Sequence, residues 1–360
     1  MKVDTIAIKK FLEIYKNPQK TYQTIHVGGS NGKGSTSYFL SQMLIQQGLK
    51  VGFYFSPYTM TRFDNILIQN ETIKDIQEEF NNLENEMLNN GLTSFEQDTA
   101  LALLMFKKYE VDLAVIEVGL GGTYDATNVL EASLAIITST SLEHDEIIGP
   151  TVFDIASHQA GIIHHGMNVI LSPNILDNIR DVFIKRILNV GATLLETEIH
   201  AFKHDLPSYQ HHNLSLAFQA LKTIVKSPII NVQTLKFMPF RFQYIHQHLI
   251  FDGAHNAEGI ETLIQSLRDK NIQPIVYMSI LKTKKYEAMI TMMKQYAKKV
   301  YVTSFDHEQS IQKTDVSHIK DVIFIDYKDT IHQLKRINYD TILVTGSLYF
   351  LRTVKSSLNI

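Results

Sequence analysis

The chain contains 360 residues, a length that is typical of two or three domains. Hydrophobic residues make up 44% and charged residues 20%, a composition that argues against a disordered chain or a collagen-like repeat. The formal net charge of -3 argues against a broadly basic nucleic-acid binder. The absence of cysteine excludes disulfides, thiolate catalysis, zinc–cysteine sites and iron–sulfur clusters.

Neither the N-terminus nor the longest apolar run reads as a targeting or membrane segment. Lys9 and Lys10 interrupt the N-terminal segment before an apolar core can form, so it is not a secretory signal. The apolar run at residues 101–106 is far shorter than the ~18 residues that a membrane helix needs. We therefore expect a soluble cytoplasmic protein.

Short apolar runs alternate with helical patterns along the first part of the chain. The Thr-x-x-Asp pattern at 72–75 has the form of a capping box, which predicts that a helix begins there. The apolar runs predict strands, and the last two look buried on both faces. The predicted strands cover residues 24–27, 51–55, 113–118 and 134–138, and further helices are predicted at 37–47 and 95–108.

A second alternating series begins near residue 247. It predicts a smaller α/β domain with strands at 249–251, 274–278, 300–303 and 341–345 and a helix at 256–270. The boundary is best placed between the predicted helix at 213–225 and Arg241, which gives domains of 1–237 and 238–360. Repeated strand–helix alternation indicates an α/β fold with a mostly parallel sheet covered by helices in each domain.

Glycines are few, 17 in all, and four of them lie between the first predicted strand and its helix. They are Gly28, Gly29, Gly32 and Gly34, and Lys33 lies among them. Backbone N–H groups of such a turn can face an anion, and the helix N-terminus and the lysine add positive charge. The segment departs from the strict P-loop, because Val27 occupies the first glycine position and Gly34 follows the lysine. It predicts phosphate binding in a P-loop-type domain, and a simple glycine-rich turn is the alternative.

Further motifs follow this loop in a fixed order. They are Phe55-Ser56-Pro57, the EVGLGG segment at 117–122, the DATN segment at 125–128, Glu143-His144-Asp145, the DGAHN segment at 252–256 and the TGSLY segment at 345–349. In this combination the chain resembles the folylpolyglutamate synthase/dihydrofolate synthase family of the Mur ligase superfamily, from about residue 10 to the C-terminus. The resemblance implies that the second domain is a Rossmann-like Mur ligase C-terminal domain.

The resemblance implies an ATP-dependent amide ligase that adds L-glutamate to a folate or to dihydropteroate. ATP would phosphorylate the acceptor carboxylate, and the glutamate amine would then attack the acyl phosphate. The implied cofactors are ATP and Mg²⁺, and the implied partners exclude nucleic acid and membranes; we expect a monomer. ATP would lie between the two domains. A reaction on another acid, such as a cell-wall precursor, is disfavoured by the GLGG and DGAHN segments.

The resemblance also implies roles for individual residues. Glu117 has support of its own, because a carboxylate that ends an apolar run and adjoins a glycine segment is seldom placed for packing. The implied catalytic residues are Lys33 and His255, the implied magnesium ligands are Ser56, Glu117 and His144, and the implied nucleotide-binding residues are Gly29, Asn31, Gly32, Lys33, Gly34, Ser35, Asn213, Arg241 and Asp252.

Several positions depart from the family pattern. Gln159 stands where the family usually has a lysine that is carbamylated to support a second Mg²⁺, and a glutamine amide cannot form a carbamate. Phe240 replaces the glycine before Arg241, and Asp64-Asn65 replaces a Glu-Arg pair. A second hypothesis is therefore a divergent nucleotide-binding paralogue with weak, altered or no ligase activity. Under the first hypothesis, Gln159→Lys is expected to raise activity at low Mg²⁺ in a bicarbonate-dependent way.

Overall fold

The computed structural model describes residues 4–143, 145–203, 205–336 and 340–360. The α-helices of these residues are α1 (Ile6–Ile14), α2 (Lys33–Gln46), α3 (Ile76–Asn89), α4 (Ser94–Lys108), α5 (Asp145–Ile148), α6 (Val152–Gln159), α7 (Asp177–Val190), α8 (Ser208–Ile224), α9 (Ala257–Asp269), α10 (Tyr286–Tyr296), α11 (Lys313–Val316), α12 (Tyr327–Leu334) and α13 (Leu348–Leu358). The strands are β1 (Gln23–Gly28), β2 (Val51–Tyr54), β3 (Ile66–Ile68), β4 (Glu71–Thr72), β5 (Leu113–Glu117), β6 (Leu134–Ile137), β7 (Asn168–Leu171), β8 (Thr193–Leu195), β9 (Gln243–His246), β10 (Leu249–Asp252), β11 (Ile275–Met278), β12 (Lys299–Val302), β13 (Ile323–Phe324) and β14 (Ile342–Thr345).

Backbone proximity divides the chain into two compact units. The first contains Met1–His204 and Gln210–Lys236, and the second contains Asp205–Tyr209 and Phe237–Ile360. Each unit has its own sheet and its own apolar core, so each is described separately below.

The first unit is built on an eight-stranded sheet with the order β4-β3-β2-β5-β1-β6-β7-β8. The strands from β2 to β8 in this order run parallel, and β3 and β4 are antiparallel additions at one edge. Every residue of β5 and β6 is buried, as their apolar composition predicted for strands covered by helices on both faces. The carboxyl ends of β2, β5, β1 and β6 therefore meet at one edge, which is where ligands bind in open α/β sheets.

The second unit contains a six-stranded sheet with the order β13-β12-β11-β14-β10-β9. Five strands are parallel and β9 is antiparallel at the edge. Helix α9 begins where Asn256 accepts a hydrogen bond from the Gly259 backbone N–H at 2.7 Å, and its apolar face includes Ile260, Leu263 and Leu267. The fully buried β10 and β14 are adjacent and in register from Leu249 with Ile342 to Asp252 with Thr345.

The α/β fold class predicted from the sequence is confirmed, and most predicted elements are present within a few residues. The capping box predicted at residues 72–75 is wrong. Thr72 lies in β4, where it pairs with Leu67, and Asp75 precedes α3 without a side-chain cap. Capping boxes instead begin α4 at Thr93 and α6 at Thr151. Helix α2 begins at Lys33, four residues before the predicted start, so the glycine loop leads directly into it.

No helix in the described ranges is long and apolar enough to cross a membrane.

Candidate functional site

The glycine loop occupies the short connection between β1 and α2. Gly29 and Gly32 have φ angles of +133° and +88°, which an L side chain rarely adopts. A side chain would also be crowded at both positions. A Cβ atom added at Gly29 would lie 2.9 Å from the Ser139 backbone nitrogen, and one at Gly32 would lie 2.5 Å from Asn213 Oδ1. The glycines are therefore required by backbone conformation and by close packing, and they bring the chain to the N-terminus of a 14-residue helix.

The segment after β6 fixes the position of the loop. The Ser30 backbone N–H donates to Ser139 O at 3.0 Å, and the Asn31 N–H donates to the Ser139 hydroxyl at 2.8 Å. Thr138 Oγ1 donates to Asn31 O at 2.7 Å. These bonds join two connections that follow neighbouring strands of the sheet, since β1 and β6 are paired in register.

Lys33, the first residue of α2, turns its side chain back over the loop. Its ammonium donates to Gly29 O at 2.7 Å and to Ser30 O at 3.1 Å. The positive charge therefore lies at the loop and at the positive end of the helix dipole, where an anion is stabilised. Gly34 and Ser35 follow in the first turn of the helix and are both buried.

Glu117 ends β5 at the same edge of the sheet. It is 5% exposed, and its backbone pairs with Val27, one residue before the end of β1. Ser56 follows the neighbouring strand β2, in which Tyr54 pairs with Ile116, and it precedes a cis peptide bond to Pro57. Two of the predicted magnesium ligands thus come from the carboxyl ends of adjacent parallel strands. The third, His144, lies outside the described residues.

Mg²⁺ prefers oxygen ligands, and it usually takes one or two carboxylates together with substrate phosphates and water. A carboxylate from Glu117 and a hydroxyl from Ser56 fit that preference. Within the described ranges, no group of three or more His, Asp or Glu side chains is arranged to hold a metal ion. Glu117 and Ser56 thus suit a cation that also binds substrate phosphates and water.

A buried network supports the loop that follows Glu117. Asp125 accepts from the Leu120 N–H at 2.7 Å and from the Thr127 N–H at 3.0 Å, and the Thr127 hydroxyl also donates to it. His26 Nε2 lies 2.8 Å from Thr127 Oγ1, whose proton is already used, so Nε2 donates. Burial raises the pKa of Asp125, with these hydrogen bonds opposing the shift. Burial, followed by the charge of His164, lowers the pKa of His26 to about 3.

Asp64 and Asn65, which depart from the family pattern, hold the segment after Ser56. The Asp64 carboxylate accepts from the backbone N–H groups of Thr59 at 2.7 Å, Met60 at 2.6 Å and Thr61 at 2.9 Å. Asn65 is buried and its amide donates to Phe55 O at 2.7 Å. Both side chains act on backbone groups, so they position the Ser56 loop without replacing the charge of the usual arginine.

In the second unit, Asp252 ends β10 and is almost fully buried. Its carboxylate accepts from the Tyr209 hydroxyl at 2.7 Å, the Phe242 N–H at 2.8 Å and the Ala254 N–H at 2.9 Å. Burial raises the pKa of Asp252, while the Tyr209 bond and the charge of Arg241 oppose that shift. The carboxylate therefore ties together the start of α8, the segment around Arg241 and the turn at Gly253.

Arg241 lies directly against this turn. A Cβ atom added at Gly253 would lie only 2.4 Å from the Arg241 Nη1. Phe240, which replaces a glycine of the family pattern, keeps a left-handed φ of +60°. That conformation costs about 1 kcal/mol or more for a residue other than glycine. Phe240 is 1% exposed and stacks on Phe251 with ring centroids 6.1 Å apart, so aromatic burial offsets the strain.

His255, a predicted catalytic residue, follows the same turn. Its Nδ1 lies 2.8 Å from Gly253 O, and a carbonyl can only accept, so Nδ1 carries the proton. Asn213, predicted to bind the nucleotide, belongs to the first unit. It is buried, its Oδ1 packs on Gly32, and its amide donates to Gln210 Oε1 at 3.2 Å.

Comparisons with known proteins show the family to which the chain belongs. The family described as "Mur ligase, glutamate ligase domain" matches residues 240–348. The dihydrofolate synthase/folylpolyglutamate synthase of Bacillus subtilis (strain 168) is 30% identical, over 98% of this chain and 94% of the relative. The chain belongs to the folylpolyglutamate synthase/dihydrofolate synthase family.

Two further matches extend over nearly the whole length of this family member. The folylpolyglutamate synthase of Lacticaseibacillus casei is 29% identical over 99% of this chain and 94% of the relative. The bifunctional folylpolyglutamate synthase/dihydrofolate synthase of Yersinia pestis, solved with AMPPNP and a manganese ion, has the same fold, with a TM-score of 0.87 at 23% identity. That match covers 100% of this chain and 94% of the solved chain.

The sequence did not reveal all the polar residues that shape the site of this folylpolyglutamate synthase family member. His26 contacts Thr127, 101 positions away, through a side-chain hydrogen bond that no local pattern predicts. Thr127 lies in the DATN segment, and Asp64 and Asn65 were noted as departures from the family pattern. The hydrogen bonds of these three residues were not predicted.

Proposed function

We propose that this chain is an ATP-dependent ligase that forms a carbon–nitrogen bond between L-glutamate and a folate or dihydropteroate. Family membership supports the reaction class. The observation that carries the proposal is the glycine loop at the N-terminus of α2, with the Lys33 ammonium over it and Glu117 and Ser56 at the same sheet edge. This is a phosphate site placed beside oxygen ligands for a divalent cation.

The residues of the first unit suit phosphoryl transfer, which depends mainly on positioning and on neutralising charge. In this proposal the loop N–H groups hold the phosphate oxygens. Lys33 neutralises the charge that develops as the γ-phosphoryl group moves from ATP to the acceptor carboxylate. When bound, Mg²⁺ supplies further charge neutralisation, held by Glu117 and Ser56. The glutamate amine then displaces phosphate from the acyl group, and the amide bond forms.

The remaining residue roles stay predictions. They are the nucleotide contacts of Gly29, Asn31, Gly32, Gly34, Ser35, Asn213, Arg241 and Asp252, the catalytic role of His255 and the metal-binding role of His144. The location in the cytoplasm, where folate and ATP would be available, is also a proposal.

The test supplies purified protein with ATP, Mg²⁺, L-glutamate and either tetrahydrofolate or dihydropteroate. We expect phosphate release that matches the amount of glutamyl product, identified by mass spectrometry, and loss of at least 100-fold in rate for Lys33→Ala, about the size of effect expected from removing one charge-stabilising group. Lys74→Ala, which removes an exposed lysine of the same unit, serves as the matched control and should keep full activity.

Two outcomes separate the hypotheses. ATP binding without product from either acceptor would contradict the proposal and leave the nucleotide-binding paralogue. Product from only one acceptor would keep the ligase and define its substrate.

A further inference from the structure

Gln159 lies at the end of α6 with its side chain enclosed. It is 1% exposed, and both ends of its amide are hydrogen-bonded. Its Nε2 donates to Ser30 Oγ at 3.2 Å, and its Oε1 accepts from Thr140 Oγ1 at 2.7 Å. The amide thus joins two segments, the glycine loop at Ser30 and the segment after β6 at Thr140.

The Ser30 hydroxyl is the point where these segments meet. Besides the bond from Gln159, it accepts from the Ser141 N–H at 3.0 Å and donates to Ser141 O at 3.2 Å. A hydroxyl has one proton to donate and two lone pairs to accept with, so its hydrogen-bonding capacity is filled. Ser30 belongs to the glycine loop, and its carbonyl also accepts from the Lys33 ammonium.

The end of α6 contacts the second glycine segment as well. The Thr123 N–H donates to His158 O at 3.0 Å, and a Cβ at Gly122 would lie 2.7 Å from the same carbonyl. Helix α6 therefore braces the glycine loop through Gln159 and the segment after Glu117 through His158. The first of these segments is to bind phosphate in the proposed function, and the second begins directly after Glu117.

We propose that Gln159 is a positioning residue that holds the glycine loop in its anion-binding conformation, and that it does not support a metal ion. The inference rests on the proposed function for its meaning, because it concerns the loop that binds the nucleotide phosphates. An amide suits this position because it donates to Ser30 and accepts from Thr140 without adding charge beside a bound anion. A loop held in place before binding loses less conformational entropy when the ligand arrives.

The first experiment measures ATP affinity directly, by titrating ATP and Mg²⁺ into the full chain without acceptor or glutamate. We expect Gln159→Leu to weaken ATP binding about tenfold. Ser30→Ala should weaken it at least as much, because it also removes the two bonds between the Ser30 hydroxyl and Ser141. Because both changes break the Gln159–Ser30 bond, the double variant should be hardly weaker than Ser30→Ala alone. Thr140→Val, which removes only the bond to Oε1, should cause a smaller loss.

Gln219 provides the matched control. It is also a buried glutamine of the first unit, and its amide donates to Glu196 O at 2.9 Å. Gln219→Leu should lower thermal stability as much as Gln159→Leu, yet leave ATP affinity unchanged. Equal losses of ATP affinity in the two leucine variants would overturn the positioning role, because they would indicate general destabilisation.

Gln159→Lys separates positioning from metal support. The contacts of Gln159 replace the expectation from the sequence alone, which was a gain of activity at low Mg²⁺. Because a lysine has no oxygen to accept the hydrogen bond from Thr140, we expect this variant to bind ATP more weakly than the wild type at every Mg²⁺ concentration, with or without bicarbonate. A gain of activity that requires bicarbonate would overturn the proposal.

If Gln159→Leu and Ser30→Ala bind ATP like the wild type while Lys33→Ala does not, this inference fails and the proposed function stands. If wild-type protein binds ATP but makes no glutamyl product, the proposed function fails, and the affinity series still decides the role of Gln159.

Discussion

Gly32 and Gly48 have similar positive φ angles but different surroundings. Their φ angles are +88° and +83°, and a Cβ would meet Asn213 Oδ1 at 2.5 Å in the first case and nothing within 4 Å in the second. A left-handed conformation costs an alanine about 1–2 kcal/mol at either position. Alanine at both positions would strain the backbone, but only alanine at Gly32 would also be crowded. Comparing the two variants therefore separates the effect of strain from the effect of crowding at the loop.

We expect Gly32→Ala to weaken ATP binding by at least tenfold, because the new methyl group must displace either the loop or Asn213. Gly48→Ala, at the other end of α2, should lower the free energy of unfolding by about 1 kcal/mol and leave ATP affinity unchanged. Chemical denaturation and ATP titration of both variants make the comparison. Equal ATP affinities would show that the position of the loop is not critical.

His26 predicts a dependence of stability on acid pH. Its pKa is lowered to about 3 in the folded chain and is 6.5 when unperturbed, so between these values only the unfolded chain binds the proton. The part of the folding free energy that depends on a neutral His26 is fully present above pH 6.5. It is lost as the pH falls toward 3. This single group should contribute a slope of about 1.4 kcal/mol per pH unit.

The measurement compares the free energy of unfolding of the wild type and of His26→Gln from pH 4 to pH 8. The variant should lose stability less steeply below pH 6.5, whatever its stability at neutral pH, and the two curves should run parallel above pH 7. Parallel curves across the whole range would contradict the lowered pKa, because they would mean that His26 binds its proton equally well in the folded and unfolded chain.

At the scale of single residues, sequence reasoning found the residues whose chemistry is unusual for their position. Lys33 among glycines and Glu117 at the end of an apolar run were both identifiable. Gln159 was noticed only as a departure from a family pattern. Its contact with Ser30 joins positions 129 residues apart, and it depends on how α6 packs at the sheet edge, which no local pattern encodes.

At the scale of elements, helix α4 shows how a cap can be tested. Thr93 accepts a hydrogen bond from the Glu96 N–H at 3.3 Å, and the Glu96 carboxylate accepts from the Thr93 N–H at 2.9 Å. Thr5 occupies the corresponding position of α1 but makes no side-chain cap hydrogen bond.

We expect Thr93→Ala to lower the free energy of unfolding by about 1 kcal/mol, and Thr5→Ala to change it by a few tenths, because only the first removes a cap. Equilibrium denaturation of both variants provides the measurement. A loss as large for Thr5→Ala as for Thr93→Ala would mean that threonine itself, and not its hydrogen bond, stabilises these helix starts.

The elements that the sequence predicted best are those whose whole length is apolar. The fully buried β5 and β6 were predicted within one residue of their ends. Strands β3, β7, β8 and β9 were not predicted. The two-residue strands β4 and β13 were not predicted either, because so short a segment has no periodicity and becomes a strand only when a partner is beside it. The same cause explains the misplaced cap at Thr72, whose backbone pairs with Leu67 instead of starting a helix.

At the scale of the whole molecule, alternation of strands and helices was enough to predict two α/β units and mostly parallel sheets. Strand order was not predicted. Strand β5 lies between β1 and β2 although it follows both in the chain, because tertiary packing decides which strands become neighbours. That order places Glu117 at the end of the strand beside β1 and Ser56 just after the next strand, β2. The candidate site is therefore a product of topology as much as of sequence.

The short strands at the borders of both sheets also have a consequence for the behaviour of the chain in concentrated solution. One sheet ends in β4, with two exposed residues, and in the three-residue β8, and the other has the two-residue β13 at one border. An unpaired sheet border is a template on which another chain can add a strand and start to aggregate. Three of the four borders are this short and offer few free backbone groups for such growth. The four-residue β9 is the longest border and is therefore where edge-to-edge association would begin most easily.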